Sequence, residues 1–165
     1  MSDDAFRRVT LSQFQAALEM VESAVAQCPD SAWASPVGTR AFWRVAYHAL
    51  FYGDFYLCRS ESDHTPFPWQ RADENFLDAD DAGPPLERET LLAFARHCRA
   101  KASAVIPWES DELRAGFSGF PWLPFTRAEI HVYNARHLQH HAGQLAAAVR
   151  AAGGPPVEWV GMRVE

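Results

Sequence analysis

The stretch from Thr126 to Ala152 limits the possible folds more than any other part of this chain. At about 100° per residue, Ile130, Tyr133, Leu138, Ala142, Leu145, Ala148 and Val149 fall on one broad arc, the pattern of a long helix with one apolar face. Thr126 with Glu129 three residues on has the spacing of a capping box, and Gly153-Gly154-Pro155-Pro156 stops the helix. Such a face must be covered, and the covering segments are helical too. The same segment carries His137, His140 and His141 within about one and a half turns.

Three further helices are expected. The first runs from about Leu11 to Gln27, with Thr10 as N-cap, Gln13 at capping-box spacing, and Leu11, Phe14, Leu18, Val21 and Val25 recurring at steps of 3 and 4. The second, about Thr39 to Arg59, is apolar nearly all round, as a helix buried on more than one side is. The third runs from about Leu86 to Ile106, with Glu87 and Glu89 in its first turn, where negative charge suits the helix dipole. Two long connections, Ser60 to Pro85 and Pro107 to Phe125, are long enough to cross the end of a bundle. The aromatic side chains of the second read as a lid on the core, and Trp159 in the tail reads as docked on the bundle. The fold class is therefore all-α: a four-helix bundle with long crossover connections, residues 1–165 forming a single domain.

Composition narrows the function classes. The chain has 165 residues, 48% of them hydrophobic, and a net charge of −6. Its 15 Lys and Arg residues are scattered, with Lys101 the one lysine, so no basic stripe marks a nucleic-acid partner. No apolar run approaches the ~20 residues of a membrane span, and MSDDAFRRVT lacks a secretory apolar core, so a cytoplasmic protein is expected. Cys28, Cys58 and Cys98 stand far apart without a CxxC arrangement and read as reduced thiols packed as small hydrophobes.

Chemistry concentrates on imidazoles. With His137 at zero, His141 lies about 40° away and Gln144 about 20° to the other side, inside the apolar arc. His140 falls at its edge and His131 at its far margin. Two imidazoles one turn apart can bind one metal ion. His48 is the lone imidazole inside the apolar second helix, with Val45, Phe51, Tyr52 and Phe55 around it. It is either a core histidine satisfied by one hydrogen bond or a third ligand. Three nitrogens from His48, His137 and His141 suit zinc, nickel, cobalt or ferrous iron and leave a coordination position open. Tyr133, Asn134 and Gln144 are candidates for orienting an imidazole through its other nitrogen, and Gly143 for a close approach. His97 reads as a boundary residue. No carboxylate base lies on the metal-facing arcs: Glu129 reads as a cap, and Asp54 falls about 240° from His48.

The segment His137-Leu138-Gln139-His140-His141-Ala142-Gly143-Gln144-Leu145 resembles the last-helix signature of the DinB/YfiT-like superfamily, which ends in a pattern close to HxxHHxGQ. His48 corresponds to that family's first histidine, and the resemblance extends over nearly the whole chain. It implies a four-helix bundle with an unusual crossover, a divalent metal (zinc, nickel or iron) on the three histidines, and a homodimer. It also implies a small-molecule substrate, for some relatives with a low-molecular-weight thiol such as mycothiol or bacillithiol in transferase or isomerase reactions. Ala142 departs from the arginine found in many members. Two functional readings stand beside each other: a metal-dependent enzyme of thiol-dependent transferase or hydrolase class, and a non-catalytic metal- or small-ligand-binding module for stress or sensing. A third makes the histidines a hydrogen-bonded core network without metal.

Overall fold

The structure, a computed structural model, describes residues 3–70, 75–78 and 83–163. Helix α1 (Asp3–Gln27) is followed by a small hairpin of β1 (Pro36–Val37) and β2 (Arg40–Ala41), then by α2 (Phe42–Phe55), α3 (Arg88–Val105), the short α4 (Asp111–Ala115) and α5 (Arg127–Ala151). The fold is all-α apart from that two-stranded hairpin. Among the described residues no helix is long and apolar enough to cross a membrane.

Helices α1 and α2 each pack against both α3 and α5, so the order round the bundle is α1, α3, α2, α5. The chain crosses a diagonal twice, between α1 and α2 and between α3 and α5. The stretch Ser60 to Pro85, expected as a crossing, joins neighbours instead; its residues 71–74 and 79–82 lie outside the described residues. The core is aromatic where the helices meet: Phe14, Phe42, Trp43, Tyr47 and Phe94 are at most 2% exposed. Each such side chain stabilises the fold by roughly 1.5–3 kcal/mol relative to an exposed one.

Several expected boundaries move, each for a local reason. The first helix starts at Asp3, with Asp4 placing negative charge in its first turn, which favours a helix start; Thr10 is a buried mid-helix residue and not a cap. The second starts at Phe42, because Gly38, at φ 68, turns the preceding residues into the hairpin. The capping box of Thr126 and Glu129 is present in both directions. In the aromatic connection only Phe120 is fully buried; Trp108, Phe117 and Trp122 are exposed. Trp159 is exposed too, and its neighbours Val157 and Val160 make the contact with the core.

Candidate metal centre

Two features hold α2 and α5 in register. In the last turn of α2, Gly53 lets Leu138 approach so closely that an added Cβ would stand 3.2 Å from Leu138 Cδ2. The Gly53 carbonyl also accepts a hydrogen bond from Asn134 Nδ2 at 3.0 Å. Beyond the end of α2, the Arg127 guanidinium donates to the carbonyls of Tyr56, Leu57 and Cys58 at 2.6–3.1 Å, so the start of α5 closes the end of α2. Glu109, from the crossing connection, accepts from Arg127 Nε at 2.8 Å and pairs with His131 Nε2 at 2.7 Å. Burial alone would raise the Glu109 pKa, but His131 and Arg127 hold it below the usual range. The buried residue at the margin of the α5 arc, His131, thus belongs to this clamp.

With the two helices so fixed, three imidazoles converge. His137 Nε2 lies 3.1 Å from His48 Nε2 and 3.1 Å from His141 Nε2. The outer nitrogens are tied down separately. His48 Nδ1 is 2.6 Å from the backbone carbonyl of Asn75, and His141 Nδ1 is 2.8 Å from Gln144 Oε1. Both partners are acceptors, so each Nδ1 carries the proton and each Nε2 turns a lone pair inward. His137 Nδ1 is buried without a hydrogen-bond partner. Its single proton, wherever it sits, cannot satisfy both facing lone pairs well.

That arrangement fits a metal ion. Nitrogens bound at about 2.1 Å to one ion stand about 3.0–3.4 Å apart for angles of 90–110°. The electrostatics agree. Burial first, then the nearby imidazoles of His141 and His48, pushes His137 down to about 2. Burial and His48 push His141 down to about 4 against the pull of Gln144. Burial also lowers His48, partly offset by the Asn75 carbonyl. All three are neutral at pH 7, the form that ligates metals. The donor set is purely nitrogen, which suits zinc, nickel, cobalt or ferrous iron.

The other sequence candidates lie elsewhere. His140 is exposed, its ring 4.9 Å from that of His141. Tyr133 packs between Tyr56 and Phe125, and Asn134 serves the Gly53 carbonyl, so among these candidates it is Gln144 that accepts a hydrogen bond from an imidazole. Gly143 faces open space and no neighbour. A backbone carbonyl orients His48, which no residue type announces. Beside the triad, Tyr52 packs on His48 and His137 with ring centres 5.0 and 5.6 Å away, and its hydroxyl is 3.4 Å from Asn75 Nδ2. Tyr52 also walls a cavity of about 390 Å³ shared with Phe51, Phe55, Asn75, Glu61 and Trp122.

The bundle and the convergent imidazoles define a class: helical proteins that present three histidine nitrogens from two facing helices at one interior point. A family model described as the DinB superfamily matches residues 13–145, and the chain belongs to that superfamily. No curated protein and no solved structure matches the chain.

Proposed function

We propose that the chain is a metalloprotein in which His48, His137 and His141 hold one divalent ion, zinc, nickel or iron, with a coordination position left for a small-molecule substrate. The observation that carries this reading is the meeting of three Nε2 atoms whose outer nitrogens are either committed elsewhere or unpartnered. When bound there, a divalent ion supplies Lewis acidity, which lets a small thiol bind as thiolate at neutral pH.

The chain's own residues do the rest. The Asn75 carbonyl and Gln144 Oε1 fix the tautomers that aim His48 and His141 inward. Phe51, Tyr52 and Phe55 give the neighbouring cavity an apolar wall. Burial raises the Tyr52 pKa, so its hydroxyl stays protonated and can donate a hydrogen bond to a substrate. The activity class we assign is group transfer to a low-molecular-weight thiol. A non-catalytic binding module is the second reading. It is favoured by the fact that, among the described residues, no carboxylate hydrogen-bonds a triad imidazole.

Elemental analysis of untagged protein, stripped and reloaded, tests the metal. We expect an equivalent per chain that His137→Ala removes, and less than a tenth of an equivalent after reloading overturns the reading. Thioether formation from a small thiol and an electrophile, measured on the loaded chain and on His137→Ala, separates enzyme from module.

A further inference from the structure

On the side of α2 away from the triad, the chain gathers a second set of donor atoms. Asp54 and Cys58 stand one turn apart, 2% and 7% exposed, and His64 folds back over them with its side chain 8% exposed. One ligand atom from each lies within 4.8 Å of the other two. His64 Nε2 is 3.4 Å from Gln70 Oε1, an acceptor, so Nε2 carries the proton there. The buried Nδ1 has no hydrogen-bond partner, and its lone pair faces Asp54 Oδ2 at 3.6 Å. A buried imidazole nitrogen and a carboxylate oxygen that face each other are held together by a proton or a cation between them.

A cation is already close by. The ammonium of Lys101, the chain's single lysine, donates to the Asp54 carbonyl at 3.0 Å, to Asp54 Oδ1 at 2.9 Å and to Cys58 Sγ at 3.1 Å. All three of its protons are used by groups that also ligate metals. His97 Nε2 adds a contact to Asp54 Oδ1 at 3.0 Å. A cavity of about 850 Å³ bounded by Asp54, Cys58, His97, Lys101 and Phe67 opens onto the cluster. The Lys101 side chain is 23% exposed, which leaves it room to swing outward.

We propose that Asp54, Cys58 and His64 form a second cation site, separate from the triad, that takes a thiolate-binding divalent ion of the zinc type, and that Lys101 is its internal competitor. The ion exchanges with the ammonium: the Lys101 hydrogen bonds are given up, the Cys58 proton leaves to solvent, and the charge on Asp54 stays balanced. A carboxylate, a thiolate and an imidazole suit zinc or cobalt, whereas magnesium and calcium prefer oxygen alone.

Cobalt(II) titration of the metal-free full chain tests this. A thiolate ligand gives a near-ultraviolet sulfur-to-cobalt charge-transfer band that an all-imidazole centre does not give. We expect that band in the natural chain and in His137→Ala, and its loss in Cys58→Ser together with one equivalent of ion. Lys101→Met, which keeps the length of the stem without its charge, should tighten the sulfur site at least tenfold. Circular dichroism of each variant checks that it is folded, and the natural chain alone still decides: no sulfur band at saturating cobalt overturns the proposal. So does a band that survives Cys58→Ser, or an unchanged or weaker sulfur site in folded Lys101→Met. A sulfur band in the natural chain with no second equivalent for His137→Ala to remove would count against the triad reading only.

Discussion

The two donor clusters that flank α2 use similar atoms and solve opposite electrostatic problems. Around His48, His137 and His141 three neutral rings turn lone pairs towards one another, and among the described residues the triad's hydrogen bonds bring no positive group to answer them. Around Asp54, Cys58 and His64 the chain brings its own cation, and Lys101 is tied to two of the three residues. Burial disfavours charge in both places. In the first the histidines stay uncharged, and on the proposed reading a positive ion from outside would answer their lone pairs. In the second an anion is kept by a paired ammonium, so an incoming ion must compete. Donor geometry alone therefore does not set affinity; what already occupies the electrostatic role does. The triad should load readily and the sulfur cluster only against Lys101.

The largest expected effect breaks the triad itself. His137 is the ring that bridges the other two, so His137→Ala should lower metal affinity there by more than the roughly 100-fold that marks loss of an outer hydrogen-bond partner. Isothermal titration of the stripped protein reads this, and a loss below tenfold would mean that the triad is not the site.

Next in size is the pH response of the metal-free fold. His137 and His141 titrate at about 2 and about 4 in the folded chain and near 6.5 when unfolded. Between those values the unfolded chain binds more protons, so stability is full above about pH 6.5 and falls as the solution is acidified. At roughly 1.4 kcal/mol per pKa unit, the loss from pH 7.5 to 5 should be on the order of 2 kcal/mol for each of the two histidines in urea unfolding, and His137→Phe should remove about half of the total. Metal should largely abolish this acid sensitivity, because a bound ion holds the rings deprotonated.

These effects bear on how much could be read before the fold was known. The 3.6-residue periodicity located four long helices, and the triad pair on α5 follows from an i, i+4 step. Both rest on local geometry, which a sequence carries directly. His48 joins them only through the approach of α2 to α5, and that depends on Gly53, Leu138 and the Arg127 clamp. Family resemblance supplied that pairing where periodicity could not. The Asn75 carbonyl is a backbone atom with no residue signature. The sulfur cluster is hidden differently: Asp54 lies off the triad face, its companions Cys58 and His64 come from an irregular connection, and Lys101 reaches it from α3, far along the chain. The single lysine was the available signal. A chain that uses arginine almost everywhere else places a compact, three-donor ammonium where three acceptors converge.

A smaller effect sharpens the contrast between the clusters. Gln144 holds His141 Nδ1 from an exposed position, so water can take over part of its role. Gln144→Ala should weaken triad binding about tenfold, the low end for an outer partner, and leave cobalt binding at the sulfur cluster unchanged. A change at both sites would show the two coupled through α2 rather than independent.

The smallest effect separates helix stability from site geometry. Thr126 Oγ1 accepts from the Glu129 amide at 3.2 Å and Glu129 Oε2 accepts from the Thr126 amide at 2.9 Å, all at the exposed start of α5. Thr126→Ala removes half of that box and should cost about 1 kcal/mol of global stability. It should leave metal affinity at the triad within twofold, because the position of α5 over α2 is set by the next residue. Arg127, 1% exposed, is pinned to Glu109 and to three carbonyls past α2. If Thr126→Ala weakened metal binding as much as it weakened the fold, α5 would be held at its cap and not by the buried guanidinium. The placement of His137 and His141 would then depend on the fraying end of the helix.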